Sequence, residues 1–340
     1  MNVTNLDIGS SDSVRFVLQP AAVACFRHHS FQGLQVLPGT VYIAAAVSVL
    51  DTAGVPVSLL EDIQFKSIFL LSERDKEALA LEIHATRTTE HSYTLSCQSR
   101  DERGDVAEHA RMLMHTNPGQ TVVTSKTAPR SHPAKQLARE EIYAHLERNG
   151  NQYSGEFRAI NNAQVSAGYC AASIEVDENN ALKSSGFKLD PVLLDACIQA
   201  QCVIGRDKGE TFVLENIGTL SLSRALYRSL SGSTSGSTSG STSGSTSGST
   251  SGSTSRALSS DFPLRLNVIA KSGANGAGDI AAFDASGELC LSMQTVGYCY
   301  IPFGDNPGTT PITTDRPAET LVISATFTAD PVEQSINFWG

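Results

Sequence analysis

The chain has 340 residues, of which 40% are hydrophobic and 18% are charged, and its formal net charge is −10. This length suffices for two domains or one double-sized domain, and the acidic balance argues against a nucleic-acid-binding protein, which usually carries a basic face. The longest strongly apolar run, 41–50, is too short to span a bilayer, and the first residues lack the pattern of a signal peptide. The seven cysteines are scattered without a C-x-x-C pair, so we expect no disulfide framework, no zinc site and a cytoplasmic location.

Two adjacent histidines, His28 and His29, stand shortly before a glycine and a proline in HHSFQGLQVLPG, residues 28–39. Neighbouring side chains of an extended strand point to opposite faces, so only one of the two can face a site inside the fold. The other should be exposed or hydrogen-bonded in a loop. Taken alone, a histidine in this place is more often structural than catalytic.

The rest of the first half predicts one buried helix, 38–50, followed by strands. The strands are predicted at 63–71, 77–87, 91–100 and 105–116. We therefore expect a first domain over 1–116. The polar, proline-containing stretch that follows indicates a linker over 117–135.

The second half, 136–302, repeats this pattern of a long apolar helix followed by strands. It predicts a short helix at 140–150, a strand at 163–176, a long apolar helix at 190–205, and strands at 212–223, 263–272, 278–287 and 289–301. Asp190 is the expected N-cap of the long helix, Pro191 its first residue and Gly205 its stop. A sheet wrapped around its own helix buries both elements, so we expect an α+β fold of two such units side by side.

Two segments stand apart from these units. The Gly-Ser-Thr-Ser repeat at 231–255 cannot bury apolar surface and is predicted to be disordered. It is either a tether that lets a domain move or an expanded or engineered surface loop, and we favour the loop because its flanks look like strands of one sheet. The second segment is a C-terminal tail, 303–340.

A motif that begins at the second histidine carries a family resemblance. His29, Gly33 and Pro38 form H-x-x-x-G-x-x-x-x-P and lead into the first predicted helix. This pattern resembles the dehydratase domains of modular polyketide synthases, and the resemblance covers roughly 15–302. It implies a double hotdog, in which two antiparallel sheets each wrap around a long central helix. It also implies that His29 is the catalytic base.

The long helix of the second half supplies a partner for that base. Its sequence DPVLLDACIQAQ is similar to the family's D-x-x-x-Q/H motif, which implies that Asp195 is the acid and Gln199 its support. Residues four apart lie on one face of a helix, so Gln199 can reach Asp195 or the departing hydroxyl. The alternative is an exposed Asp–Gln pair. The helix is apolar nearly all round, and burying an aspartate there without a partner or a role would cost free energy. This disfavours that alternative.

A third motif is altered. The stretch GNQYSGEF, 150–157, is similar to the family's G-Y-x-Y-G-P-x-F and matches it at Gly150, Tyr153 and Phe157. It departs from the motif at Asn151, Ser154 and Gly155. The missing Gly-Pro pair leaves two equal interpretations of Tyr153: it lines the site, or it only packs in a loop between the two halves.

The resemblance implies dehydration of a 3-hydroxyacyl thioester to the 2,3-unsaturated thioester. His29 would take the C2 proton and Asp195 would help the C3 hydroxide to leave, without a metal or an organic cofactor in this domain. Backbone N–H groups near Gly33, or at the helix start by Pro38 and Gly39, would stabilise enolate character. The substrate would arrive on the phosphopantetheine arm of an acyl carrier protein, which should dock on a local basic patch.

Other partners and other activities stay open at this point. The resemblance implies neighbouring synthase domains, with 303–340 as the start of one, and it leaves a homodimer open. The alternatives are a bifunctional dehydratase that also isomerises the double bond or forms a pyran ring, a non-catalytic structural domain of the synthase, and a free-standing hotdog thioesterase. The intact Asp195 favours dehydration.

Overall fold

A computed structural model describes residues 13–55, 57–72, 79–101, 103–116, 134–177, 182, 185–204, 209–223, 264–273 and 277–302. Nearly all of the predicted linker, the 231–255 repeat and the 303–340 tail lie outside these residues, as does Gly205. Among the helices of the described ranges, none combines the length and the apolar character that a membrane crossing requires.

The first half is one long helix within a set of strands. Its elements are β1 Ser13–Leu18, α1 Pro20–Phe26, β2 His29–Phe31, β3 Leu34–Gln35, α2 Gly39–Thr52, β4 Leu59–Phe65, β5 Leu79–Thr89, β6 Ser92–Arg100 and β7 Val106–His115. Every residue of α2 from Thr40 to Leu50 is buried, as its apolar sequence predicts.

The second half has the same plan. Its elements are β8 Lys135–Ala138, α3 Arg139–Arg148, β9 Asn151–Tyr153, a 3-10 turn at Gly155–Phe157, β10 Ile160–Ser166, β11 Tyr169–Val176, α4 Pro191–Cys202, β12 Glu210–Leu222, β13 Leu264–Ser272, β14 Gly278–Phe283 and β15 Leu289–Pro302. All residues of α4 are buried. The start of α4 is as predicted, because the Asp190 side chain accepts hydrogen bonds from the backbone N–H groups of Val192 and Leu193, with Pro191 in the first turn.

The two halves share one continuous antiparallel sheet. The twelve strands run in the order β1-β5-β6-β7-β4-β12-β15-β14-β13-β11-β10-β8, and the halves join where β4 pairs with β12, with Ile63 opposite Ile217. The helices α2 and α4 contact each other inside this sheet. The fold is the predicted α+β double hotdog, with its two sheets joined edge to edge.

A second, smaller sheet also crosses between the halves. It has the order β3-β2-β9, and its pairing sets His29 of the first half opposite Tyr153 of the second. This pairing places the histidine motif directly beside the altered tyrosine motif.

Three strand predictions were wrong in their bounds, and one of them, at 278–287, ends at Phe283. The strand predicted at 63–71 runs instead over Leu59–Phe65, so its second half leaves the sheet. The strand predicted at 163–176 is a hairpin, β10 and β11, with a turn at Ala167 and Gly168. A single Ala-Gly step between two alternating runs is a weak turn signal, and the continuous alternation hid it. The short elements β1, α1, β3 and β8 were not predicted.

Candidate active site

The structure brings the two predicted reactive residues together from different halves. His29, at the start of β2, places Nε2 3.8 Å from Oδ1 of Asp195, which lies in the second turn of α4. Both side chains are nearly buried, with exposed fractions of 14% and 9%. The distance exceeds that of a direct hydrogen bond, so both groups remain available to a third molecule.

His28 points away from this pair, as expected for its strand neighbour. Its Nδ1 lies 2.6 Å from Oε2 of Glu156, and 41% of its side chain is exposed. Of the two adjacent histidines, only His29 faces Asp195.

Burial acts on the protonation of both site residues. It lowers the pKa of His29 below its usual value, against the opposing attraction of the Asp195 carboxylate. It raises the pKa of Asp195 above its usual value, against the opposing effects of His29 and of a hydrogen bond from Gln199. These directions favour a neutral imidazole beside a protonated carboxyl, which is the arrangement of a base and an acid.

Gln199 supports Asp195 from the next turn of α4, where the sequence predicted it. Its Nε2 donates to Asp195 Oδ2 at 2.7 Å and to the Phe157 carbonyl at 3.1 Å. Its Oε1 accepts from the Tyr143 hydroxyl at 3.1 Å, and that hydroxyl also accepts from the Ile160 backbone N–H at 3.0 Å. This network fixes which end of the Gln199 amide faces Asp195.

Tyr153 lies in the wall of the site. Its ring centroid is 5.3 Å from that of His29 in an edge-on contact, and burial, reinforced by the nearby Asp195 charge, raises the pKa of its phenol well above its usual value. The phenol therefore stays protonated. Tyr143 makes a similar edge contact with Tyr153, at 6.2 Å between centroids.

The departures from the third motif have structural explanations. The side chain of Asn151 exchanges two hydrogen bonds with the Phe212 backbone, donating at 2.9 Å and accepting at 3.2 Å. Gly155 has a φ of +49°, which proline cannot adopt, and a Cβ there would collide with the His28 ring. Phe157 remains buried with its ring centroid 5.4 Å from that of His29, so the turn still packs against the site.

Gly33 and Pro38 shape the course of the backbone, at the β2–β3 turn and before α2 respectively. Gly33 has a φ of +81° in the turn between β2 and β3, and its N–H already donates to Gln152 Oε1 at 3.0 Å. Gly33 itself is not among the residues that line the cavity, whereas Phe31 and Val36 on either side of it are. Pro38 is the residue before α2, and Gly39, the first residue of α2, does line the cavity. The positive end of the α2 dipole therefore lies at the site.

A cavity of about 80 Å³, partly open to solvent, connects these groups. Both halves line it. Its polar wall residues are His29, Tyr42, Ser67, Asn151, Tyr153, Asp195 and Tyr298. The remaining wall is apolar apart from Gly39 and comprises Phe31, Val36, Leu37, Phe65, Ile68, Ile198, Phe212, Val213 and Leu214. Such a lining suits an acyl chain with a reactive polar end.

Sequence reasoning missed Tyr143 and Tyr42. Tyr143 stands beside Ile142 on the buried side of α3, so helical periodicity marks it as a core position, but not as a hydrogen-bond partner of Gln199. Tyr42 lies in a helix that is apolar throughout, where no periodic pattern separates the cavity-facing residues from the others.

Comparison with known families gives two matches along the chain. Residues 3–100 match the family model described as the polyketide synthase dehydratase domain, and residues 122–256 match the one described as the polyketide synthase dehydratase N-terminal domain. A hybrid PKS-NRPS synthetase, gkaA of Penicillium citrinum, is 26% identical over 186 residues, which is 50% of this chain and 5% of the synthetase. The polyketide synthase-nonribosomal peptide synthetase ACE1 of Pyricularia oryzae is 25% identical over 198 residues, which is 54% of this chain and 5% of that protein.

Solved structures share the fold over most of the chain. The dehydratase domain from the CurF module of the curacin polyketide synthase has a TM-score of 0.63 at 17% identity, covering 87% of this chain and 96% of that domain. An inactive variant of the CurK dehydratase has a TM-score of 0.65 at 15% identity, covering 88% and 95%. The chain is thus similar to a whole solved domain, whereas it spans only about a twentieth of the synthetases.

Proposed function

Because this chain belongs to the dehydratase domain family of polyketide synthases, we propose that it removes water from a 3-hydroxyacyl thioester and forms the 2,3-unsaturated thioester. One observation carries the proposal: His29 and Asp195 face each other at 3.8 Å in the wall of one cavity, and burial shifts their pKa values in opposite directions.

His29 acts as the base. Its neutral imidazole, with the ring proton on Nδ1, accepts the C2 proton at Nε2. The electron pair of the broken C2–H bond enters the thioester as enolate character, and the N-terminus of α2 by Gly39 stabilises the developing negative charge.

Asp195 acts as the acid. Its carboxyl proton passes to the C3 hydroxyl, the C3–O bond breaks, and water leaves as the C2–C3 double bond forms. The resulting carboxylate keeps its hydrogen bond from Gln199 Nε2, which favours the charged form. After the reaction His29 carries one additional proton and Asp195 lacks one. A water molecule or the departing product can carry that proton from His29 back to Asp195 across the 3.8 Å between them.

Two solved relatives support these roles. The CurK dehydratase is inactive when a histidine is replaced by phenylalanine and when an aspartate is replaced by asparagine. We infer the same dependence on His29 and Asp195 here. Gln199 and Tyr153 hold supporting positions, Gly33 shapes the β2–β3 turn, and Pro38 precedes α2 as its N-cap.

The relatives also guide the proposed context. The matched synthetases are hybrids in which this stretch is a small part, so we propose neighbouring synthase domains as partners. In this proposal 1–116 and 136–302 are the two hotdogs, 117–135 links them, and 303–340 opens the next module. The substrate is carried on the phosphopantetheine arm of an acyl carrier protein, and the domain needs no cofactor of its own.

Incubation of the chain with a panel of 3-hydroxyacyl thioesters, on carrier protein and on pantetheine, tests the proposal. Mass spectrometry should show the loss of one water molecule, and NMR should locate the new double bond between C2 and C3. A double bond elsewhere, or a cyclic ether, would reveal the bifunctional alternative. If no thioester loses water while the protein binds the substrates, the structural-domain alternative holds instead.

A further inference from the structure

One phenol in the cavity wall has no partner among the described residues. Tyr42 lies in the first turn of α2 and is only 2% exposed, and its hydroxyl oxygen is buried without a hydrogen bond. A buried hydroxyl in this state gives up the hydrogen bonds that it makes in water, which costs free energy unless a bound molecule supplies one. The pKa of Tyr42 is raised well above its usual value by burial, so the group is a phenol that can both donate and accept.

The Tyr42 ring is held in place from behind. It stacks on the His109 ring with the planes 2° from parallel and the centroids 5.4 Å apart. His109 is fixed in turn by contacts of Nδ1 with Ser67 Oγ at 2.9 Å and of Nε2 with Ser99 Oγ at 2.7 Å. Because this support leaves the ring little room to turn, the hydroxyl is pre-organised for whatever occupies the cavity.

Three other polar side chains of the same wall are already engaged. Tyr298 contacts the Ile198 carbonyl at 3.5 Å and Gln201 Oε1 at 3.3 Å, Asn151 is bonded to Phe212, and Ser67 Oγ donates to the Glu108 carbonyl at 2.8 Å. Tyr42 therefore differs from these three by its unused hydrogen-bonding capacity.

Tyr42 packs against a different ring from those that contact His29. The rings that contact His29 are those of Tyr153 and Phe157, whereas Tyr42 contacts His109. The charge of Asp195 acts on Tyr153, whereas the group that acts on Tyr42 is the Cys97 thiol. The neighbours of Tyr42 in the cavity wall thus differ from those of His29 and Asp195.

We propose that Tyr42 selects the substrate by hydrogen-bonding an oxygen atom on its acyl chain. The preferred substrate class is then a 3-hydroxyacyl thioester whose chain carries a hydroxyl or keto group beyond C3, and a plain hydrocarbon chain leaves the phenol unpaired. A site built to bond such an oxygen discriminates against analogues that lack it. This inference rests on the proposed dehydration, because it names the substrate of the same cavity.

The test compares the wild type with Tyr42→Phe on matched pantetheine thioesters. One substrate has a plain alkyl chain, and the others carry a hydroxyl at successive carbons beyond C3. We expect wild-type kcat/KM to be highest for one oxygen-bearing member, and Tyr42→Phe to lower kcat/KM for that member by about tenfold while changing the plain substrate less than about twofold. Tyr298→Phe is the matched control, since it removes an engaged phenol of the same wall and should leave the ratio between the two substrates unchanged.

Three outcomes overturn the inference. An equal loss on plain and oxygen-bearing substrates would place the phenol at the reacting end or make it structural, and unchanged melting temperatures would exclude misfolding as the cause. No loss on any substrate would mean that water satisfies Tyr42. A loss of selectivity in Tyr298→Phe equal to that in Tyr42→Phe would mean that the wall as a whole sets the preference.

Failure of the proposed dehydration can be distinguished from failure of the inference about Tyr42. If the wild type leaves every thioester intact, the proposed function fails, and the inference is then decided by binding of unreactive amide analogues. A dissociation constant raised by Tyr42→Phe only for the oxygen-bearing analogue supports the Tyr42 subsite, and equal dissociation constants for the wild type and Tyr42→Phe overturn it.

Discussion

Gln199 donates from Nε2 to Oδ2 of Asp195 at 2.7 Å, while Oδ1 of the same carboxyl faces His29 at 3.8 Å. The carbonyl oxygen of a protonated carboxyl is its better acceptor, so in the proposed mechanism the acid proton is on Oδ1, the oxygen beside the cavity. Tyr143 fixes this choice, because its hydroxyl holds the carbonyl end of the Gln199 amide away from Asp195. The four-residue spacing that joins Asp195 to Gln199 thus also sets which carboxyl oxygen would carry the proton.

Replacing each of the adjacent histidines separates their roles. We expect His29→Ala to lower the dehydration rate by about 10²- to 10⁴-fold, the usual contribution of a general base. His28→Ala removes only the half-exposed contact with Glu156 and should keep most of the activity. Initial rates on one 3-hydroxyacyl thioester measure both effects, and equal activities of the two variants would contradict the assignment.

The pH profile of kcat/KM should be bell-shaped. His29 must be neutral, so activity falls as the pH drops through its lowered pKa, and Asp195 must be protonated, so activity falls as the pH rises through its raised pKa. The Gln199 hydrogen bond lowers the pKa of Asp195, so Gln199→Leu should move the alkaline limb to higher pH. Tyr143→Phe removes the hydrogen bond to Gln199 Oε1 and leaves the Phe157 carbonyl to orient the amide, so it should move the alkaline limb in the same direction by less. An unmoved alkaline limb in both variants would refute the role given to this network.

His109 should make the fold sensitive to acid. Burial lowers its pKa to about 4 in the folded chain, against an ordinary value of 6.5, so the unfolded chain binds the proton first as the pH falls. Between these two values the wild type should lose up to about 3 kcal/mol of its free energy of unfolding through this group, with no further loss below them. Urea unfolding of the wild type and His109→Gln from pH 7 to pH 4 measures it. The contributions of His29 and Asp195 are common to both proteins, so the difference isolates His109, and parallel curves would contradict the prediction.

Local signals in the sequence located the three longer helices, α2, α3 and α4, but not α1. The Asp190–Pro191 pair marks the start of α4, because capping and proline geometry act within a few residues. The end of the strand at Phe65 was not predictable in this way. The chain there turns from the sheet toward Leu37 and Val36 of the first motif, where Leu37 N–H donates to the Phe69 carbonyl and Val36 bridges Leu70. Such a long-range partner leaves no trace in a local pattern.

The residues of the site also fall into those that the sequence predicted and those that it did not. His29, Asp195 and Gln199 were assigned because they stand in motifs that the sequence shares with a known family. Tyr143 and Tyr42 were not, since each acts through contacts with residues far along the chain, Gln199 and His109 respectively. The altered third motif is the intermediate case. Asn151 bonds the Phe212 backbone and Gly155 leaves room for the His28 ring, and only the three-dimensional arrangement reveals either effect.

The proton of Asp195 should matter more than its shape. Asp195→Asn keeps the size of the side chain and an oxygen that accepts from Gln199 Nε2, so we expect the variant to fold and to bind substrate normally. It has no acidic proton for the C3 hydroxyl, and the dehydration rate should fall by about 10²-fold or more. Asp190→Asn is the matched control on the same helix, because asparagine caps a helix as well as aspartate does and the activity should be retained.

Isotope exchange then separates the two halves of the reaction in Asp195→Asn. His29 keeps its place and remains able to remove the C2 proton, so slow exchange of that hydrogen with deuterated water should survive in NMR spectra while no alkene forms. The double variant with His29→Ala should lose the exchange as well. If Asp195→Asn instead dehydrated at a near wild-type rate, His29 would have to serve as both base and acid, and the two-residue mechanism would be wrong.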